Sequence, residues 1–350
     1  MRRVAYIKAL GCVVSYKNES EPLLFNELNA RCQGVKLTGR GRSAAMFTLP
    51  DYAALVSAQR TDPFVFLRHV HPVLRTAEIS GTTADFTVFA DMLNLVIPYI
   101  EDGDTLTCQC RLVANEPIAY ANGDLNTLLA EALKNKGYPI DPKAADTVVS
   151  LTVFDHIACM GISRPEDNAS RWSGGVLFFA KAEDDLISRA EFKLEEAFEV
   201  FDIQAREGMR ALDLGAAPGG WTNYLAQRGL LVDAVDPAEL SGAVLRNPNV
   251  THYKMTAQEF AQSGPKNHYD IIVNDMRMDT RESVDITRAM SVYLSENGCC
   301  VLTLKLPKGQ VQKRINSARE MLSKTFEAVQ VRQLYYNRSE VTIMMKSKRR

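Results

Sequence analysis

Short apolar runs alternate with amphipathic segments through the second half of this chain. ALDLGA, LVDAVD, HYDIIVND and GCCVLTLKL read as strands, THYKM and VTIMM as two more. Between them lie segments with helical spacing, such as SVDITRAMSVYLSENG. Strands that alternate with helices imply a doubly wound, mainly parallel α/β sheet covered on both faces. A helix precedes the first of these strands: Ser188 and Glu191 form a predicted capping box, and Leu194, Ala197, Phe198 and Phe201 form its apolar stripe.

The first half has a different texture. TLTCQCRLV (105–113) and VVSLTVF (148–154) read as strands around a helix, DLNTLLAEALKNKG, that stops at Gly137, which makes an α+β unit. Residues 1–75 read as another mixed α/β piece. The stretch 164–187 is polar and turn-rich apart from a short VLFFA run, as a connector would be. The expected organisation is therefore 1–75, 76–163, a connector at 164–187, and a Rossmann-like domain at 188–350.

Composition narrows the classes. The chain has 350 residues, 46% hydrophobic and 24% charged, enough for two or three domains. No apolar run approaches the roughly 18–20 residues that cross a bilayer, and Lys8 interrupts the only early apolar patch, so neither membrane span nor signal peptide is read and the cytoplasm is the expected location. The seven cysteines are scattered with no C-x-x-C pair, and the five histidines form no ligand cluster, so no metal is expected. The net charge of −1 does not by itself suggest a nucleic-acid partner, although the C-terminal half carries a small basic excess and ends in KSKRR.

The candidate chemistry begins in ALDLGAAPGGWTNYLAQRG (211–229), which reads as strand, tight turn and helix. In a doubly wound sheet such a turn lies at the carboxyl edge, where ligands bind. Gly215, Ala217, Pro218, Gly219, Gly220 and Trp221 are the candidate cofactor contacts, and Asp236, closing the next strand, is placed to accept ribose hydroxyls. A dinucleotide would need G-x-G-x-x-G; here Ala217 and Pro218 interrupt it, and the proline removes an N–H that a phosphate would use. S-adenosylmethionine has no phosphate, so the departure favours it. A nucleotide or an inert turn remains open on the loop alone.

Asp275 ends YDIIVND, Lys305 lies near the end of CCVLTLKLP, and Glu340 begins EVTIMM; if that last strand runs antiparallel, all three fall on the edge of the glycine turn. Lys193 lies off the stripe of its helix. Singly, each is equally readable as a charge reaching water. A buried ion without a partner costs several kcal/mol, so the four together call for a common task.

FKLEEAF around Lys193, DLGAAPGGWT, VNDM around Asp275, TLKLP around Lys305 and RSEVTI around Glu340 resemble, in order, the motifs of Rossmann-fold RNA ribose 2'-O-methyltransferases with a Lys-Asp-Lys-Glu tetrad, specifically their bacterial RlmM type. The resemblance covers 188–345 and implies S-adenosyl-L-methionine as cofactor, a cytidine of 23S rRNA or its precursor as substrate, and Lys305 as general base. An ordinary lysine keeps its proton at neutral pH, so such a base needs burial or a second cation, for which Lys193 is the neighbour. Residues 76–163 resemble a THUMP domain, an RNA-binding module. Where the family often has an acidic residue at the adenine, this chain has Thr256.

RNA is expected over DNA because only RNA offers a 2'-hydroxyl. Lys308, Lys313 and Arg314 are candidate backbone contacts. The rivals are a methyltransferase acting on a protein or small molecule and an RNA-binding protein on a silent methyltransferase fold. Oligomeric state stays open between monomer and weak dimer.

Overall fold

The computed structural model describes residues 9–177, 179, 187–265, 268–307 and 309–348. The chain divides into two compact units, Met1–Val176 and Leu177–Arg350. Among the described residues, no helix is long and apolar enough to cross a membrane. Most of the connector motifs VLFFA and KAEDD, Lys308 and the last two residues lie outside the described part.

The first unit holds two four-stranded sheets. In the first, β1 (Gly11–Ser15), β2 (Lys36–Gly41), β3 (Ala44–Thr48) and β4 (His69–Val73) pair antiparallel in the order β2-β3-β1-β4. Helices α1 (Glu21–Arg31) and α2 (Tyr52–Thr61) bury Leu24, Leu28 and Leu55. The second contains β5 (Arg75–Glu78), β6 (Leu106–Leu112), β7 (Thr147–Val153) and β8 (Ile157–Ser163) in the order β5-β8-β7-β6, with α3 (Asp85–Val96) and α4 (Asn122–Asn135) packed on it through Phe89, Leu93, Leu125 and Leu129. β6 and β7 are parallel because α4 carries the chain back between them. The strand, helix and strand read from 105–154 are present.

The second unit is one seven-stranded sheet. Its strands are β9 (Arg210–Leu214), β10 (Leu231–Val235), β11 (Val250–Tyr253), β12 (Tyr269–Asn274), β13 (Leu294–Lys305), β14 (Phe326–Arg332) and β15 (Glu340–Lys348), ordered β11-β10-β9-β12-β13-β15-β14. All are parallel except β15, which runs antiparallel between β13 and β14. On one face, α5 (Ala190–Val200) and α6 (Gly220–Ala226) pack Leu194, Phe198, Tyr224 and Leu225 against Ala211, Ile271, Val273 and Val301. The other face meets α9 (Thr280–Met290), whose Ser283 and Thr287 reach Asn274. The strand order reverses between β9 and β12, which opens a crevice at their carboxyl ends.

Three local expectations are corrected. The helix read through SVDITRAMSVYLSENG ends at Met290, and Leu294 already pairs with Tyr269, since the β-bonding of the next strand outcompetes further helix. β14, FEAVQVR, was not anticipated: Glu327 and Gln330 interrupt its apolar pattern and its burial is mixed. The capping box at Ser188 takes another form, with Glu191 Oε1 accepting the Ile187 N–H at 2.8 Å and Ser188 Oγ the Ala190 N–H at 3.3 Å.

The indole N–H of Trp221 donates to the Ala190 carbonyl at 2.7 Å and ties α6 to the start of α5. Trp221→Phe removes that hydrogen bond and opens space in the core, and should cost about 1–3 kcal/mol of stability in urea unfolding. An unchanged midpoint would show that the bond does not hold α5.

Candidate active site

Four charged side chains from four elements meet at the carboxyl edge of the sheet. Asp275 follows the last residue of β12, Lys305 ends β13, Glu340 begins β15 directly opposite Lys305 in the register, and Lys193 comes from α5. Lys193 Nζ lies 2.7 Å from Glu340 Oε1 and 3.7 Å from Asp275 Oδ2, and Lys305 Nζ hydrogen-bonds Asp275 Oδ1. The order Glu340, Lys193, Asp275, Lys305 thus alternates in sign.

Local bonds aim these groups. The Asn274 side chain, 1% exposed, donates to Thr287 Oγ1 at 3.0 Å and accepts the Met276 N–H at 3.0 Å, which fixes the turn that presents Asp275. Thr280 Oγ1 donates to the Lys305 carbonyl at 3.0 Å. Burial pushes the Glu340 carboxyl up, but its hydrogen bond and ion pair with Lys193, with Lys305 and the Arg338 backbone assisting, outweigh this and hold it below the ordinary range.

Two clefts share this cluster. One, of about 510 Å³, is lined by Gly215, Ala217, Asp236, Thr256, Asp275 and Met276 together with Gln258. The other, of about 710 Å³, is lined by Arg189, Phe192, Tyr336, Arg338 and Glu340. Lys193, Arg277 and Lys305 line both.

The structure therefore brings Gly215, Ala217, Asp236, Thr256 and Asp275 to one cleft, and does not bring Pro218, Gly219, Gly220 or Trp221 to its lining. Pro218 is exposed, after a cis Ala217–Pro218 bond, while Trp221 is buried under α5. The glycines chiefly let the chain approach itself. Gly215 has φ +77°, and a Cβ there would lie 2.6 Å from Met276 Cγ; at Gly220 it would lie 2.3 Å from Ser188 Oγ. Asp236 accepts the Ala217 and Ala238 N–H groups at 3.1 and 2.8 Å, so it shapes the loop and keeps acceptor capacity toward the cleft. The Thr256 hydroxyl closes a capping box with Glu259 at the start of α8 (Ala257–Ser263), which leaves the Gln258 amide as a polar cleft group that sequence reading missed.

Lys313 is exposed on α10 (Val311–Ser323), and neither it nor Arg314 lines either cleft. The cations that do, besides Lys193 and Lys305, are Arg189, Arg277 and Arg338. Two of them had a visible signal: Arg277 lies two residues after Asp275 and Arg338 two before Glu340.

The fit of S-adenosylmethionine rests on the loop, where the Ala217 N–H is already given to the Asp236 carboxylate, an arrangement that repels a pyrophosphate and leaves acceptor oxygen for ribose hydroxyls. The class these features define is the S-adenosylmethionine-dependent methyltransferases, and residues 186–342 match the model of the FtsJ-like methyltransferases. The chain is 30% identical over 324 residues to ribosomal RNA large subunit methyltransferase M of Saccharophagus degradans, covering 85% of this chain and 86% of that one. The same enzyme of Pseudoalteromonas translucida is 28% identical over 312 residues, covering 84% and 80%. The solved structure of TrmN from Thermus thermophilus aligns over 96% of this chain and 99% of its own at 16% identity, with a TM-score of 0.40. The chain belongs to the ribosomal RNA large subunit methyltransferase M family.

One buried acid gives a pH-dependent test. Burial raises the Asp213 carboxyl to about 7; the Thr222 hydroxyl, donating at 2.6 Å, opposes this and the charges of Asp275 and Asp236 add to it. The folded protein then keeps a proton that the unfolded chain releases near pH 4, so this group's contribution to stability falls as pH rises from about 4 to about 7. Asp213→Asn removes that term. Urea midpoints of the variant should gain on the wild type by up to about 1 kcal/mol per pH unit across this window, and parallel profiles would refute the assignment.

Proposed function

We propose that the protein methylates a ribose 2'-hydroxyl of large-subunit ribosomal RNA, on a cytidine, with Lys305 as general base. The observation that carries this reading is the sharing of Lys193, Arg277 and Lys305 by two clefts, one on the glycine loop with the carboxylates of Asp236 and Asp275, the other cationic and aromatic. The first suits the cofactor, with Gly215, Ala217 and Asp236 as its loop contacts and Gln258 beside the adenine. The second suits the RNA. When bound, S-adenosylmethionine supplies an electrophilic methyl group on a sulfonium.

The chain's own residues supply position and proton transfer. The 2'-hydroxyl is a poor nucleophile until its proton leaves, and the Lys305 amine accepts it as the oxygen–carbon bond forms. Asp275 holds Lys305 in direction and stabilises the ammonium that results. Glu340 anchors Lys193 beside the cluster. In-line attack depends on this placement, which supplies a large part of the rate. The family membership supports RNA as partner and the cytoplasm as setting. A 76–163 module of THUMP type would contribute further RNA contact.

Incubating the protein with labelled cofactor and total RNA from a strain lacking it, then mapping the modified ribose, tests the substrate. Lys305→Ala should lower methyl transfer about 10²–10⁴-fold at saturating cofactor while calorimetry shows cofactor binding intact. Near wild-type transfer would remove Lys305 from the role of base.

A further inference from the structure

The wall of the cationic cleft contains a feature that the tetrad does not use. Phe192 and Tyr336 line it with ring centroids 5.1 Å apart and planes 26° from parallel. Phe179 stacks on both, at 5.5 and 5.7 Å. The stack is held from behind: the buried Glu196 carboxylate accepts the N–H groups of Tyr335 and Tyr336 at 2.6 and 2.8 Å, and the Tyr336 hydroxyl donates to the Leu177 carbonyl at 3.0 Å. Phe192, Lys193 and Glu196 all belong to α5, so one helix positions the rings and the amine together.

The charge around the rings is one-sided. Arg189, Lys193, Arg277, Lys305 and Arg338 line the cleft against the single carboxylate of Glu340. Fixed, half-exposed aromatic faces among cations are what single-stranded nucleic acid requires: rings for the bases, cations for the phosphates. A ribose presented to Lys305 carries its base and its two phosphates into this same cleft.

We propose that Phe192 and Tyr336 form a stacking platform for the base of the methylated nucleotide, which enters unpaired and turned out of any helix, with Arg189 and Arg338 toward its phosphates. This rests on the RNA reading above. It makes unpairing part of recognition, since a base held in a duplex stacks on its neighbours and not on protein.

The test pairs RNA and protein changes. Transcripts spanning the mapped ribose are prepared with the natural nucleotide or with a base-less ribose that keeps its 2'-hydroxyl. For the wild type, removing the base should lower kcat/KM about 10- to 100-fold. In Phe192→Leu/Tyr336→Leu the natural transcript should suffer a comparable loss, and base removal should then cost nothing more. Tyr336→Phe, which keeps the ring, should stay sensitive to the base. Cofactor calorimetry and thermal melting confirm that the double variant is folded; if it is not, Phe192→Leu is read alone.

Base removal that leaves the wild type unaffected, or that costs the same factor with and without the rings, overturns the platform and leaves the rings as packing alone. Failure of the underlying reading looks different: the wild type then labels no ribose in any RNA.

Discussion

Four charges can share a half-buried cleft only if their signs alternate. Glu340, Lys193, Asp275 and Lys305 do so, and the cluster as a whole is neutral. Removing one member leaves an opposite charge unbalanced in a poorly solvated place, which is the costly case for buried ion pairs. The alternation depends in turn on the antiparallel last strand. Because β15 runs against β13, its first residue lies opposite the last residue of β13, and Glu340 arrives at an edge otherwise reserved for strand ends. A parallel β15 would have put Glu340 at the far side of the sheet.

The same edge separates two electrostatic environments across a few side chains. On the loop side, Asp236 and Asp275 stand against Lys193, Arg277 and Lys305, and beneath them burial, with the two acids adding to it, lifts the Asp213 carboxyl to about 7. On the other side, arginines and lysines gather around aromatic rings. The carboxylates of Asp236 and Asp275 set the loop-side cleft apart from the other, where five cations face Glu340 alone. Lys193 and Lys305 stand on the boundary, paired with acids so that neither cleft meets their full charge.

Legibility in the sequence followed the range of the interactions. Strand and helix periodicity is local, and the strands of the second unit were readable where buried on both faces, as in DIIVN; β14, half-buried and interrupted by Glu327 and Gln330, was not. The acids and amines at strand ends were legible because a charge that closes an apolar run must emerge at the sheet edge, and the order of motifs supplied Lys193. The roles within the glycine turn were less so. Whether Gly220 serves a ligand or the approach of Ser188, and whether Trp221 faces a cleft or the underside of α5, depends on a helix remote in sequence. Thr256 illustrates the same limit: it reaches the cleft, but its hydroxyl is claimed by Glu259, three residues on, and Gln258 beside it adds a polar group that the sequence did not flag.

Helix α5 emerges as the mechanical link. Its first residue holds Trp221 and thereby the helix that follows the cofactor loop; its third and fourth carry Phe192 and Lys193; its seventh, Glu196, fixes the backbone of Tyr335 and Tyr336 a few residues before Glu340. Two carboxylates of the helix that face inward, Glu191 and Glu196, accept backbone N–H groups of Ile187, Tyr335 and Tyr336. A displacement of α5 by even about 1 Å would alter the loop, the amine and the rings at once, a scale of misplacement that can cost methyl transfer about 100-fold. Precision at this site is therefore a property of one helix and its hydrogen bonds, and the catalytic geometry is inherited from packing on the face of the sheet that α5 covers.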